Sequence, residues 1–217
     1  MRHQGQQRVA LLGFALLSLA SRQLGGQETT PLIRLTLNGE SRLSIEGTSN
    51  LHAWRCRATV FEASISIDPS RMPAAPASID IARSIRRVDV KVPVQSLKCG
   101  NGRMDRIMYQ ALRADEPAAD SIVGSFEVVP GTAIDSLVVH TVGTLRVAGQ
   151  ENVIRIDVRT QELANGLVRV VSELPILMTD YGVKPPTVLL GALRCGNRVM
   201  VKFELVVAPH ALLATSR

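Results

Sequence analysis

Between Val199 and Val207 every odd position is apolar: Val199, Val201, Phe203, Leu205 and Val207. Successive side chains of a strand point to opposite faces, so this spacing gives an extended segment one apolar face. Leu137, Val139, Leu145 and Val147 share such a face too, and Ala53 to Ile67 is long enough to form a single long strand. Asn38-Gly39 stands between Ile33–Leu37 and Arg42–Ile45, and Asn165-Gly166 between Val153–Leu163 and Leu167–Leu174. Each Asn-Gly pair predicts a type I′ hairpin, because both central residues of that turn need positive φ. The expected class is all-β and mostly antiparallel, with one buried face per sheet.

One stretch follows a different period. Met104, Ile107, Met108, Ala111 and Leu112 recur at helical spacing after Asn101, a capping residue, and before Pro117. The spacing predicts one substantial helix over Gly102–Arg113, whose apolar stripe packs on the sheet. The Ala- and Pro-rich stretch Pro69–Ser78 reads as a surface loop.

Composition sharpens this picture. The chain has 217 residues, 46% hydrophobic and 20% charged, enough for one domain with a real core. Only 3% are aromatic, so the interior is aliphatic and a base-stacking platform for nucleic acid is not expected. Arg2 and Arg8 precede an apolar run from Val9 to Ala20 that ends in small and polar residues, which reads as a signal peptide over residues 1–26. That run is shorter than the roughly 20 residues a membrane span needs. The domain is therefore expected over 27–217, periplasmic or secreted, without a stable membrane anchor. Loss of Arg2, Arg8 and Arg22 with the leader takes the net charge from +6 to 22 − 19 = +3, and Arg83, Arg86, Arg87, Arg103 and Arg106 are too scattered for a phosphate-tracking stripe.

Export permits a disulfide, and three cysteines leave one over. Cys99-Gly100-Asn101 and Cys195-Gly196-Asn197 are near-copies that could mark equivalent turns at one end of a sheet. No two cysteines have ligand-like spacing and His52, His140 and His210 stand alone, so no metal or cofactor is expected. The chain contains no Gly-x-Ser-x-Gly elbow, no His-Glu-x-x-His pair and no phosphate loop, and Asp115-Glu116 beside Pro117 is explained by turn chemistry. Catalysis is not expected.

An ordered series of short motifs then points to a family. Ser41-Arg42-Leu43-Ser44-Ile45-Glu46-Gly47-Thr48-Ser49, Trp54-Arg55-Cys56, Val92-Pro93-Val94 and Leu97-Lys98-Cys99-Gly100-Asn101 with Met104-Asp105 resemble the YceI-like proteins. Gly143-Thr144-Leu145-Arg146-Val147-Ala148-Gly149 and Met178-Thr179-Asp180-Tyr181-Gly182-Val183-Lys184-Pro185-Pro186-Thr187 extend the resemblance, which covers roughly residues 35 to 208 and is to a cysteine-containing branch. It implies a lipocalin-like, eight-stranded antiparallel barrel with one packed helix, whose lumen in some members holds a polyisoprenoid chain; the expected partner here is a long apolar small molecule, a polyisoprenoid, a quinone or a fatty chain. From motif position, Trp54, Phe61, Leu145, Met178 and Tyr181 are expected at the lumen or rim. The same resemblance implies a Cys56–Cys99 disulfide with Cys195 free, against which the repeated Cys-Gly-Asn would suggest Cys99 with Cys195. A barrel of this size is either filled by its own side chains or just wide enough for one ligand. The alternative to a carrier is thus a structural or interaction module with a filled core.

Overall fold

The computed structural model describes residues 32–34, 39–68, 70, 84–129, 138–163 and 167–207. The expected signal peptide and the Asn165-Gly166 turn lie outside the described residues, as do Leu137 and the 69–78 loop apart from Ser70. In chain order the strands are β1 (Leu32–Arg34), β2 (Arg42–Ser49), β3 (Ala53–Ala58), β4 (Glu62–Ile67), β5 (Ile85–Pro93), β6 (Leu97–Lys98), β7 (Ser121–Val128), β8 (Val138–Val147), β9 (Gln150–Glu162), β10 (Val168–Leu177), β11 (Thr187–Val188) and β12 (Leu193–Val207). One α-helix among the described residues, α1 (Gly102–Ala111), separates β6 from β7.

Every strand pairing is antiparallel. Only Thr59–Phe61 separate β3 from β4, and one 3-10 turn, Val94–Ser96, separates β5 from β6. These are two bent strands lying side by side, with Glu62 opposite Lys91 on one side of the bend and Ala58 opposite Leu97 on the other. Across the bend the Thr59 N–H donates to the Ser96 carbonyl at 2.9 Å, and the Ser96 hydroxyl lies 2.7 Å from the carbonyl oxygens of Val60 and Pro93. Counted this way, β2, β3/β4, β5/β6, β7, β8, β9, β10 and β12 form a ring of eight strands that returns to β2. Closure removes the free edges that an open sheet would leave. The mostly antiparallel class and the single helix agree with the expectation, whereas the strand count differs: twelve strands are present among the described residues, because the bends split two long strands and β1 and β11 are added outside the ring.

Residues 35–38, which would complete the expected Asn38-Gly39 hairpin, lie outside the described residues. Segment β1 pairs with β4, Leu32 opposite Ser66, and not with β2. Both edges of β2 are taken, by β3 and β12, whereas β2 reaches only the first half of the β3/β4 strand and leaves the far edge of β4 open to β1. The other hairpin has the expected partners: β9 pairs with β10, and the Leu163 N–H donates to the Leu167 carbonyl at 2.8 Å.

Helix α1 matches the sequence period. Asn101 caps it, its side-chain oxygen accepting from the Arg103 N–H at 2.8 Å. It stops earlier than expected, at Ala111, and Arg113 adopts the left-handed region at φ 56°. The Arg113 side chain donates to the Ala148 carbonyl, tying the exit from the helix to the β8–β9 turn.

Close packing between strands rests in part on Gly143, which lies opposite Phe126 in the β7–β8 ladder. A β-carbon there would meet the Ser125 carbonyl and the Phe126 Cα, which are backbone and cannot swing aside. Gly143→Ala should therefore cost about 1–3 kcal/mol through overpacking. Urea unfolding read by circular dichroism checks this, and a variant as stable as the parent would contradict the β7–β8 register.

A candidate ligand-binding lumen

The barrel is not filled. A cavity of about 290 Å³ runs inside it, with side chains from each of the eight ring strands on its wall. The alternating residues of β12, Val199, Val201, Phe203 and Leu205, face it, as do Leu43 and Ile45 of β2 and Val88, Val90 and Val92 of β5. That follows from period 2: the alternate set turns outward, where Glu46, Lys202 and Glu173 make ion pairs of 3.3 and 3.4 Å. The volume, about 290 Å³, falls just below the roughly 300–1,000 Å³ of small-molecule pockets.

The helix forms one wall of the same space through Met104, Ile107, Met108, Ala111 and Leu112. Its placement is dictated by β6, which runs antiparallel to β3 with Lys98 opposite Arg57. Chain direction then carries Cys99 to Cys56 and the start of α1 to the end of the barrel where β2 turns into β3. Cys56 and Cys99 are joined by a disulfide across 43 residues, and Cys195 is free. The bridge fixes the entrance to the helix, because Cys56 is buried in the wall and the Cys99 N–H donates to the Asp105 side chain at 2.7 Å.

Four of the five residues singled out from sequence, Trp54, Leu145, Met178 and Tyr181, line the cavity. Leu145 and Tyr181 are buried together with Val147, Ala148 and Val183, and Met178 packs against them. Trp54 stands opposite Gly47, where a β-carbon would overlap its ring, and its indole N–H donates to the Thr48 carbonyl at 3.2 Å. Phe61 lies at the bend between β3 and β4, packed on Leu43, Val92 and Leu97, and does not line the cavity. Sequence reasoning gave the methionines of α1 a packing role on the barrel; they pack there and bound the lumen at once. It did not single out His52 or Cys195 as lumen residues, and an isolated polar residue carries no periodic signal that would have revealed them.

Polar groups on the wall are few: Ser49, His52, Thr141, Tyr181 and the cysteines. Thr141 spends its hydroxyl on the Ile156 carbonyl at 2.9 Å. Burial pushes the Tyr181 hydroxyl and the Cys195 thiol above their ordinary pKa ranges, so both stay neutral near pH 7. Among the described residues no arginine, lysine or carboxylate lines the lumen. Such a wall binds by burial of apolar surface and has little to offer an ion.

Cys99 and Cys195 share this cavity, yet their Cys-Gly-Asn segments are not equivalent turns. Gly100-Asn101 leads into a helix, with Gly100 at φ 77°. Gly196-Asn197 lies inside β12, where the register with β2 shifts between Cys195 and Val199 and the Asn197 side chain bonds the Thr179 N–H and hydroxyl at 3.0 and 2.8 Å.

An antiparallel ring of eight strands with an aliphatic lumen and a helix for one wall defines a lipocalin-like barrel fold. The chain belongs to the YceI-like family, whose domain matches residues 35–207. Among solved structures it is similar to Burkholderia cenocepacia BcnA, at 14% identity and a TM-score of 0.60 over 79% of this chain and 99% of that one. It is also similar to a polyisoprenoid-binding domain from Saccharophagus degradans, at 18% identity and a TM-score of 0.59 over 81% of this chain and 98% of that one. A YceI protein of Campylobacter jejuni, in a mutant form, matches at 14% identity and a TM-score of 0.52 over 70% of this chain and 82% of that one. No curated protein matches the chain.

Proposed function

We propose that this protein is an exported carrier that encloses one long apolar chain, of polyisoprenoid, quinone or fatty type, in the barrel lumen, and that it is not an enzyme. The observation that carries the reading is the open aliphatic space of about 290 Å³ bounded by the eight ring strands and the helix. A barrel serving only as a structural module would be packed by its own side chains to interior density. Each buried methylene contributes about 0.8 kcal/mol, so an isoprenoid tail is held without any charged partner. The description of the Saccharophagus domain as polyisoprenoid-binding supports the same ligand class. Export is supported by the basic and apolar leader pattern of residues 1–26 and by the Cys56–Cys99 bridge, which suits an oxidising compartment.

Cys195 supplies a direct test, since its thiol is free, half-buried and on the lumen wall. With its pKa raised by burial, the thiolate fraction at neutral pH is below that of the unfolded chain, so alkylation of the folded protein is expected to be slow and to speed up as pH rises through the elevated value. Loading with a polyprenyl alcohol should slow labelling further, toward zero as the lumen fills, while urea-unfolded protein labels rapidly with or without it. A labelling rate unchanged at saturating polyprenyl alcohol would refute a lumenal site.

A further inference from the structure

We propose that the end of the barrel carrying Leu51 and Leu190 docks on an anionic lipid bilayer, so that an apolar chain passes between membrane and lumen without crossing water. The purpose of docking rests on the carrier reading; the docking itself does not. Leu51, at the tip of the β2–β3 loop, is 69% exposed, and Leu190, just before β12, is fully exposed. The two tips are fastened together through Asn50. Its backbone N–H donates to the Arg194 carbonyl at 3.1 Å, its side-chain amide donates to the Ala192 carbonyl at 2.8 Å, and its side-chain oxygen accepts from the Arg194 N–H at 2.9 Å.

Leu190 sits at φ 54°, ψ 30°, a left-handed conformation that glycine adopts freely and a leucine resists. Folding thus holds a large apolar side chain out in water in a disfavoured backbone geometry, the kind of outlier that accumulates at functional surfaces. The tips stand at the mouth of the lumen. Ser49 and His52 flank Leu51, Val188 and Leu193 flank Leu190, and all four line the cavity. His52 is also exposed, so the cavity reaches solvent at this loop.

Charge identifies the partner. No Asp or Glu occurs from Gly47 to Phe61 or from Tyr181 to Phe203, while Arg194 stands at the tips, its side chain donating to the Gly191 carbonyl at 2.9 Å, and both it and Lys184, on the segment leading into β11, are exposed. Arg103 and Arg106 continue the basic character along the outward side of α1, which starts at this end. The carboxylates Asp115, Glu116 and Asp120 stand on the segment entering β7, on the far side of the ring from β12 and β2. In sequence Glu46 and Glu62 adjoin the first segment and Asp180 and Glu204 the second; Glu46 is held by Arg55 and Lys202, and Glu204 by Arg169. Leucines projecting from a cationic rim are the pattern of an interfacial anchor, in which apolar tips enter the headgroup boundary and basic groups meet anionic lipid.

Flotation with vesicles tests the proposal, using phosphatidylcholine alone and phosphatidylcholine mixed with phosphatidylglycerol. The full protein should float with the mixed vesicles, weakly or not with the neutral ones, and less as salt is raised. The double variant Leu51→Ser, Leu190→Gly should lose partitioning by about ten-fold or more. Its melting temperature should stay level or rise, because glycine relieves the left-handed position. Wild-type protein that ignores mixed vesicles, or a double variant that binds them equally, overturns the docking. So does concentration-dependent dimerisation lost in the same variant without vesicle binding, which would assign the face to a second copy of the chain. A polyprenyl alcohol offered in detergent micelles separates the two readings. The double variant should still take it up, and failure of uptake by both proteins would remove the carrier while flotation alone decides the docking.

Discussion

Removing the Cys56–Cys99 bridge should lower stability by about 4 kcal/mol, the loop-closure entropy for the 43 residues it spans. For a chain of this size that corresponds to a fall in melting temperature of roughly 10 °C. The double variant Cys56→Ala, Cys99→Ala, and wild-type protein under reductant, should show the same loss, since Cys56 is 1% exposed and its neighbours are packed. A further consequence follows from where the bridge sits. It pins the segment that enters α1 to β3, and the helix is a wall of the lumen. Opening it should loosen that wall and weaken ligand retention more than a surface substitution of equal thermodynamic cost. Equal melting temperatures with and without reductant would contradict the bridge as a structural element.

The second large effect is expected from filling the lumen. Ala111 is half-buried on the lumen side of the last turn of α1, with Met108 and Leu112 beside it on the wall. Ala111→Phe projects a ring into space that a ligand would occupy. Displacing two methylenes costs about 1.6 kcal/mol of burial, more than ten-fold in affinity, and a phenyl group displaces at least that many. Stability should change little, because the ring enters a cavity rather than a packed core. Leu145→Asp makes the harsher comparison: its carboxylate would enter an aliphatic cluster with no partner, so both uptake and fold should suffer. Titration with a polyprenyl alcohol, run beside circular dichroism, separates the two. Full uptake by a well-folded Ala111→Phe variant would mean that the chain binds elsewhere.

The fold was legible wherever a local rule and the global arrangement agree. Alternation on β12 and helical spacing in α1 each reflect one face turned to one lumen, so a short window of sequence suffices. The described part of the first strand, Leu32–Arg34, lies on β4 and not on β2, because β2 has given its edges to β3 and β12. The bend at Thr59–Phe61 divides what the sequence presents as one long strand, Ala53–Ile67, into halves with different neighbours. Phe61 was placed at the lumen or rim by its motif, and at that bend it packs on Leu43, Val92 and Leu97 instead. The twin Cys-Gly-Asn segments show the same limit, since turn chemistry specifies local backbone and not the pairing partner. An open lumen cannot be read from alternation at all, for a filled barrel and an empty one share the same period.

Native mass spectrometry of the protein, purified without detergent, decides between a loaded and an empty lumen. A population heavier than the apo chain by one long-chain lipid is expected, released by organic extraction and restored by adding a polyprenyl alcohol, with a polypeptide mass that shows one disulfide. Only apo mass, from protein whose melting temperature does not rise with any polyprenyl, quinone or fatty chain supplied, would contradict the carrier reading.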